Sequence, residues 1–437
     1  MQSVSAWLRH GAALAWVLGL GLGGGIAQAQ PTTFPEGIGA RLEAQPWWSH
    51  ESNPFRFSEA QQAQAQDDTI VGALARGALA VPLLSERTRL DLSGTLGHAR
   101  YQHYRQLNHD PARLDAVLRW HAGHALSGSV RYRYANGLYR YLNRSYPERD
   151  MVTDRLGQAD FNVHVTPSLV LPRVTVWENR VGYEFDETSM LFTRRSRHIE
   201  VSAQWRGIEN SRAIVGWQRA RGTYTQRTPF WANLVGRDYQ DDAWFADVQW
   251  DYSVKTTLAA RVAYQKRQYT GVTGRDVNQW VVILRAGWDP SPKSRWDLSA
   301  WYRPFPNDED PTILYGTLTG GRVSWRWHPT VKTMLSLAAS YEEQVDTPIA
   351  GSTTRKSRLL RFGPRFEWQI HRRIRLFVDG WHDRTTGSTA SNSYRNTVVR
   401  AGLVISLDNH WQPPPGMLWH SECDPPRYIE ALACQFD

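Results

Sequence analysis

From residue 87 onward the chain is written in one pattern, segments of ten to seventeen residues in which apolar and polar side chains alternate. Successive side chains of a strand point to opposite faces, so each segment reads as a strand whose two faces meet different surroundings. Leu258, Ala260, Val262 and Tyr264 share one face, and Ala259, Arg261, Ala263, Gln265 and Arg267 share the other. Val323, Trp325 and Trp327 stand against Arg322, Ser324 and Arg326 in the same way, as do Leu360, Phe362, Phe366 and Trp368 against Arg361, Gly363, Arg365 and Glu367. A soluble β-sandwich also alternates, so the period alone leaves open which face is inside.

The aromatic residues narrow the choice. Trp205, Trp250, Trp288, Trp327 and Trp368 each stand just before a short turn, at spacings of 45, 38, 39 and 41 residues, an internal repeat of two strands and a loop. An indole at each strand end suits a bilayer interface, because its ring is apolar and its N–H can stay wet. A propeller of similar period would need four short strands per repeat, where this repeat holds two long ones. A helical membrane protein is excluded by the lack of repeated uncharged stretches of about 20 residues, and disorder by the 21 Trp, 18 Tyr and 13 Phe.

Short turns fall near residues 121–125, 166–172, 206–211, 251–256, 289–294, 328–333 and 369–374, and eight longer polar connections lie between them. The expectation is an all-β fold, a transmembrane antiparallel β-barrel of about 16 strands over residues 87–407, wide enough to hold water. The stretch Ile70–Pro82 could be a further strand. Bacterial single-chain barrels keep an even count, so it is either a periplasmic or luminal segment, or a further strand near the C-terminus makes eighteen.

The flanks read differently. A basic Arg9-His10, an apolar Gly-rich run over 11–26 and Ala27-Gln28-Ala29 predict a secretory signal peptide over 1–29. Residues 30–86 read as a periplasmic N-terminal arm, Pro-, Gln- and Ala-rich up to residue 69. Residues 408–437 read as a C-terminal extension in which Cys423 and Cys434 could pair in an oxidising compartment.

Asn53-Pro54-Phe55-Arg56, the run Ser127-Gly128-Ser129-Val130-Arg131-Tyr132-Arg133-Tyr134 leading into an aromatic loop, and the Trp-ended hairpin repeat together resemble exopolysaccharide-biosynthesis outer-membrane proteins of the EpsL type, within the putative β-barrel porin group associated with exosortase systems. The resemblance spans roughly residues 50–407. It implies an outer-membrane component of polysaccharide export, with a polysaccharide and periplasmic secretion components as partners, and it supplies no catalytic residues.

No Gly-x-Ser-x-Gly elbow, His-Glu-x-x-His helix or phosphate-binding Gly-Lys loop is present, so no enzyme chemistry and no cofactor are expected. Asn307-Asp308-Glu309-Asp310 offers hard oxygens but reads as a solvated loop tip rather than a metal site. Of the 51 basic residues only Lys255, Lys266, Lys293, Lys332 and Lys356 are lysine. Arg131, Arg133, Arg261, Arg267, Arg322, Arg326, Arg361, Arg365 and Arg400 fall opposite the apolar face, hence toward the lumen if that face meets lipid. Guanidinium groups bind carboxylate and phosphate bidentately, so the lumen should favour anions. Wall-building pairs with Glu200, Asp247, Asp297 and Glu367 are the alternative use of the same side chains. With no basic helix or base-stacking sheet, nucleic acid is not a partner.

The sequence therefore predicts an outer-membrane barrel, in contact with outer-membrane lipid, that exports an anionic polysaccharide. A general anion-favouring diffusion porin is the first alternative and an outer-membrane enzyme acting on lipid or glycan the second.

Overall fold

The computed structural model describes residues 38–83, 87–139, 148–207, 211–305, 313–348, 354–388 and 393–409. Within them the chain is a single antiparallel sheet of 18 strands closed on itself. β1 (Gly39–Glu51) and β2 (Asp68–Pro82) are followed by β3 (Thr88–Tyr101), β4 (Ala112–Ala122), β5 (Leu126–Leu138) and β6 (Met151–Thr166). The wall continues through β7 (Leu169–Tyr183), β8 (Arg194–Arg206), β9 (Arg212–Tyr224), β10 (Asp238–Ser253), β11 (Thr256–Thr270) and β12 (Val277–Ser291). It ends with β13 (Ser294–Phe305), β14 (Ile313–Thr330), β15 (Thr333–Pro348), β16 (Arg355–His371), β17 (Ile374–Gly387) and β18 (Tyr394–Asn409). Two short helices, α1 (Asp186–Phe192) and α2 (Pro229–Val235), lie in the long connections after β7 and β9.

Each strand pairs with its sequence neighbours, and β1 closes the wall by pairing with both β2 and β18. Closure leaves no sheet edge, which lipid requires because it offers no hydrogen-bonding partner to a bare strand. Short and long connections alternate, so one rim of the barrel carries every tight turn and the other every long loop. Among the described residues no helix is long and apolar enough to cross a membrane.

The outer face is apolar and uncovered. Val215, Trp244, Trp280, Leu298, Leu337 and Val399 are all exposed, forming a belt too large for a protein surrounded by water. Trp205, Trp250, Trp288, Trp327 and Trp368 point the same way, between 39% and 55% exposed, near the short-turn rim. The inner face is polar. Glu43, Gln45 and Ser49 of β1 and Asp91, Asp115 and Arg119 of β3 and β4 are buried there.

Eighteen strands replace the expected sixteen, and the extra pair lies within the segment read as an N-terminal arm: 39–51 and 68–82 are barrel wall. The strand that restores an even count is therefore N-terminal, not C-terminal. β2 falls in the stretch read as a possible strand and β1 in one that is not, and both are weakly patterned. β1 sets Ala44, Pro46 and His50 among its outward residues, and β2 carries Ile70, Leu74 and Ala78 on its inward face, so neither shows strong contrast. Ile70 has a partner: the connection between β1 and β2 folds into the barrel mouth and packs Phe55 and Phe57 with Ile70, Ala99, Tyr101 and Leu107. The signal peptide expected over 1–29, residues Asn307 to Asp310, and Cys423 and Cys434 lie outside the described residues.

Candidate functional site: the luminal arginine wall

Directly opposed residues of an antiparallel pair share a face, so the register fixes which side chains line the lumen. Arg131, Arg133, Arg261, Arg267, Arg322, Arg326, Arg361, Arg365 and Arg400 all fall on the inner face, as the pairings Asp115↔Arg133, Asp247↔Arg261, Asp241↔Arg267, Arg322↔Ser340, Arg295↔Arg326 and Asp379↔Arg400 illustrate.

Arg131, Arg133, Arg261, Arg267, Arg361, Arg365 and Arg400 are tied to carboxylates among the described residues. Arg131 donates to Asp115 at 3.1 Å, Arg133 to Asp154 at 2.9 Å and Arg261 to Asp247 at 3.2 Å. Arg267 forks Asp241, Arg361 forks Asp383, and Arg400 and Arg365 converge on Asp379 at 2.9 and 3.4 Å. Arg365 also donates to Glu367 at 2.7 Å. Pairing of this kind keeps buried charges tolerable and braces the wall. Arg322 faces Ser299 and Ser340, while Arg326 faces Arg295 and Ser336 and bonds no carboxylate among the described residues.

Cross-strand register places like charges together near the short-turn rim. Arg206 of β8 is directly opposite Arg212 of β9, Arg89 of β3 is opposite Arg119 of β4, and Arg295 of β13 is opposite Arg326 of β14. Asp91 bridges Arg89 and Arg119, and Asp297 takes Arg295 at 3.0 Å. Around Arg206 and Arg212 the balance is uneven. Arg173 of β7 stands beside both, Arg173, Arg212, Arg261 and Arg285 share the one Asp247, Asp251 lies near Arg212, and Glu200 approaches Arg173 only to 3.9 Å. Arg206 bonds no carboxylate among the described residues, and its buried Nε has no partner. Opposed like charges destabilise a strand pair, so this end of the lumen holds a surplus of positive charge that folding alone does not call for.

Sequence reading missed Arg173, Arg206, Arg212 and Arg285. Arg206 and Arg212 flank a tight turn and look like turn residues. Their membership of the wall follows only from β8 and β9 pairing to their last residues.

The opposite mouth is narrowed by residues 52–67. Asn53 holds a turn there, its Oδ1 accepting the N–H of Phe57 and its Nδ2 donating to the Phe57 carbonyl, both at 2.9 Å. The turn puts Arg56 in the left-handed region, at φ 51°. Arg56 is enclosed by Glu51, Asp383 and Tyr394. Burial would lower its pKa, but those three facing groups outweigh burial and raise it, so it stays cationic.

By sequence the chain matches no family model and no curated protein. By structure it is similar to OccK2 (OpdF) of Pseudomonas aeruginosa in complex with glucuronate, at TM-score 0.51 and 9% identity over 86% of this chain and 99% of that one. It is equally similar to a BenF-like porin from Pseudomonas fluorescens, at TM-score 0.51 and 8% identity over 86% of this chain and 100% of the other. The chain has the fold of an 18-stranded outer-membrane porin. It is an outer-membrane protein, carrying its apolar belt on the outside of a closed wall. Nothing in these likenesses supports the resemblance to exopolysaccharide-biosynthesis proteins.

Two arrangements bear on enzyme chemistry. Ser127 Oγ lies 2.8 Å from His164 Nε2 on the inner face, but no carboxylate bonds His164 among the described residues, so no orienting third group completes a nucleophilic set there. No group of His, Cys, Asp and Glu among the described residues is arranged to hold a metal ion.

Proposed function

We propose that this barrel is an outer-membrane channel, not an enzyme, that favours small anions and above all carboxylate-bearing solutes. The carrying observation is the Arg206–Arg212 opposition beside Arg173. A positive wall segment concentrates anions and offers guanidinium forks that match a carboxylate. The paired arginines elsewhere contribute stiffness, so the surplus sets the sign of selectivity. Both the enclosed strap at Arg56 and the carboxylate-tied wall suit a lumen for small solutes better than one for a polymer.

The test is ion selectivity of the full chain in planar bilayers under a KCl gradient, with liposome swelling in glucuronate against glucose. An anion-signed reversal potential and faster swelling in glucuronate are expected. A cation-signed potential overturns the reading. Loss of secreted polymer on deletion, with solute uptake unchanged, would favour polysaccharide export instead.

A further inference from the structure

The outer surface holds a second, unrelated concentration of arginine. On β7, β8 and β9 the outward apolar residues Val176, Ile199 and Trp217 are each followed, toward the long-loop rim, by charged ones: Glu178 and Arg180, Arg197 and Arg195, Arg219 and Arg221. Arg155 of β6 joins the same surface opposite Arg180. These six arginines are contiguous across four strands and lie immediately beyond the apolar belt.

Their neutralisation is incomplete. Glu178 alone serves three guanidiniums, with Arg180 at 2.6 Å, Arg195 at 2.7 Å and Arg197 at 3.0 Å. Arg219 pairs with Asp242 at 2.7 Å and its guanidinium sits 5.0 Å from the Trp217 ring centroid. Among the described residues Arg221 meets only Gln240, at 3.2 Å, and Arg155 only the face of Tyr134. Asp238, the next acid along, is engaged by Thr223. Arg180, Arg195 and Arg197 remain 40% to 68% exposed, so they can accept further bonds.

Directly above Arg155 and Arg180, Asn136, Thr153 and Gly182 share the outward face and floor a groove of about 790 Å³. Its walls carry Arg100 and Arg149, and its acids are already held, Asp110 by His98 and Arg100 and Glu184 by Arg149. A polar groove beside a cationic patch, both facing outward at the edge of the apolar belt, presents sugar-sized and phosphate-binding surfaces side by side.

We infer that this face binds the phosphorylated sugar head group of an outer-leaflet glycolipid, with the arginines of β6 to β9 gripping phosphate and the groove receiving sugar. Charge complementarity and height select that occupant. A solute bound for the lumen would not pass here, whereas a lipid whose tails lie against Val176, Ile199 and Trp217 puts its head group at this level. Phosphate oxygens accept bidentate bonds from paired guanidiniums, which three arginines around one carboxylate leave available. The inference uses the orientation in which the long connections face outward.

The test uses the full-length barrel in detergent, titrated with bisphosphorylated lipid A, dephosphorylated lipid A and phosphatidylglycerol, with bound lipid read by native mass spectrometry. Bisphosphorylated lipid A should bind in preference to both others and be weakened by salt. Arg155→Gln, Arg197→Gln and Arg221→Gln together leave Glu178 two partners and should preserve the lipid-free melting temperature. They should weaken binding by about tenfold or more, since each charge-assisted bond lost is worth roughly that factor. Equal binding of the dephosphorylated form, equal binding of phosphatidylglycerol, or undiminished binding by the variant would each overturn the inference. Channel selectivity, set by the inner face, should not change, so failure here is distinguishable from failure of the anion-channel reading.

Discussion

Arg267 and Asp241 are joined by two parallel bonds across β11 and β10, Nε to Oδ1 at 2.6 Å and Nη2 to Oδ2 at 2.7 Å. The guanidinium also lies 3.9 Å from the Tyr239 ring centroid, and the residue is 4% exposed. Arg206, on the same inner surface, has no such fork. The two residues look alike in the sequence and have opposite roles in the wall.

Arg267→Gln should therefore act on stability. Removing one partner of a buried pair leaves the other charge uncompensated, at about 3–5 kcal/mol. Urea unfolding in vesicles should show that loss, and adding Asp241→Asn should restore most of it. A single variant as stable as the parent would show that the fork does not brace the wall.

Replacing Arg173, Arg206 and Arg212 together by Gln should act on selectivity. The reversal potential should move toward cation preference in dilute KCl, and the difference should shrink near 1 M, where the Debye length falls to about 3 Å. Because the opposition of Arg206 and Arg212 is repulsive, Arg206→Gln alone should leave folding unharmed or gain about 0.2–1 kcal/mol. Selectivity unchanged at low salt would mean that these charges are screened from the permeating ion.

Orientation is accessible to labelling. Thr273 lies in the connection after β11 and Lys293 in the tight turn after β12, both exposed and on opposite rims. Thr273→Cys should react with an impermeant maleimide on intact cells and Lys293→Cys only after permeabilisation. The reverse pattern would invert the barrel in the membrane.

Val323 faces outward between Leu298 and Ala339, whereas its neighbour Arg322 faces Ser299 and Ser340 inside. Val323→Arg should cost about 2–4 kcal/mol if it lies near the bilayer midplane, and Arg322→Ser should cost much less. Folding yields measured in lipid vesicles decide the matter, and a larger loss from Arg322→Ser would exchange the two faces.

Alternation of side chains is a property of covalent neighbours, so the sequence by itself specified a strand-built wall, its apolar face, the positions of fifteen of its connections and the tryptophans beside its tight turns. It did not specify closure. β1 is recognisable as a strand through its pairing with β18, some 350 residues away: Trp47 meets Gly402 and Ser49 meets Arg400. Its partner β2 carries an inward Ile70 that makes sense only once Phe55 and Phe57 of the 52–67 strap lie against it. The same separation holds for the site. Sequence placed arginines on the inner face, but which of them meets a carboxylate depends on the stagger between strands. That stagger gave Arg267 to Asp241 and left Arg206 facing Arg212, because register is decided by pairing across the closed sheet and not by the residues on either side in the chain.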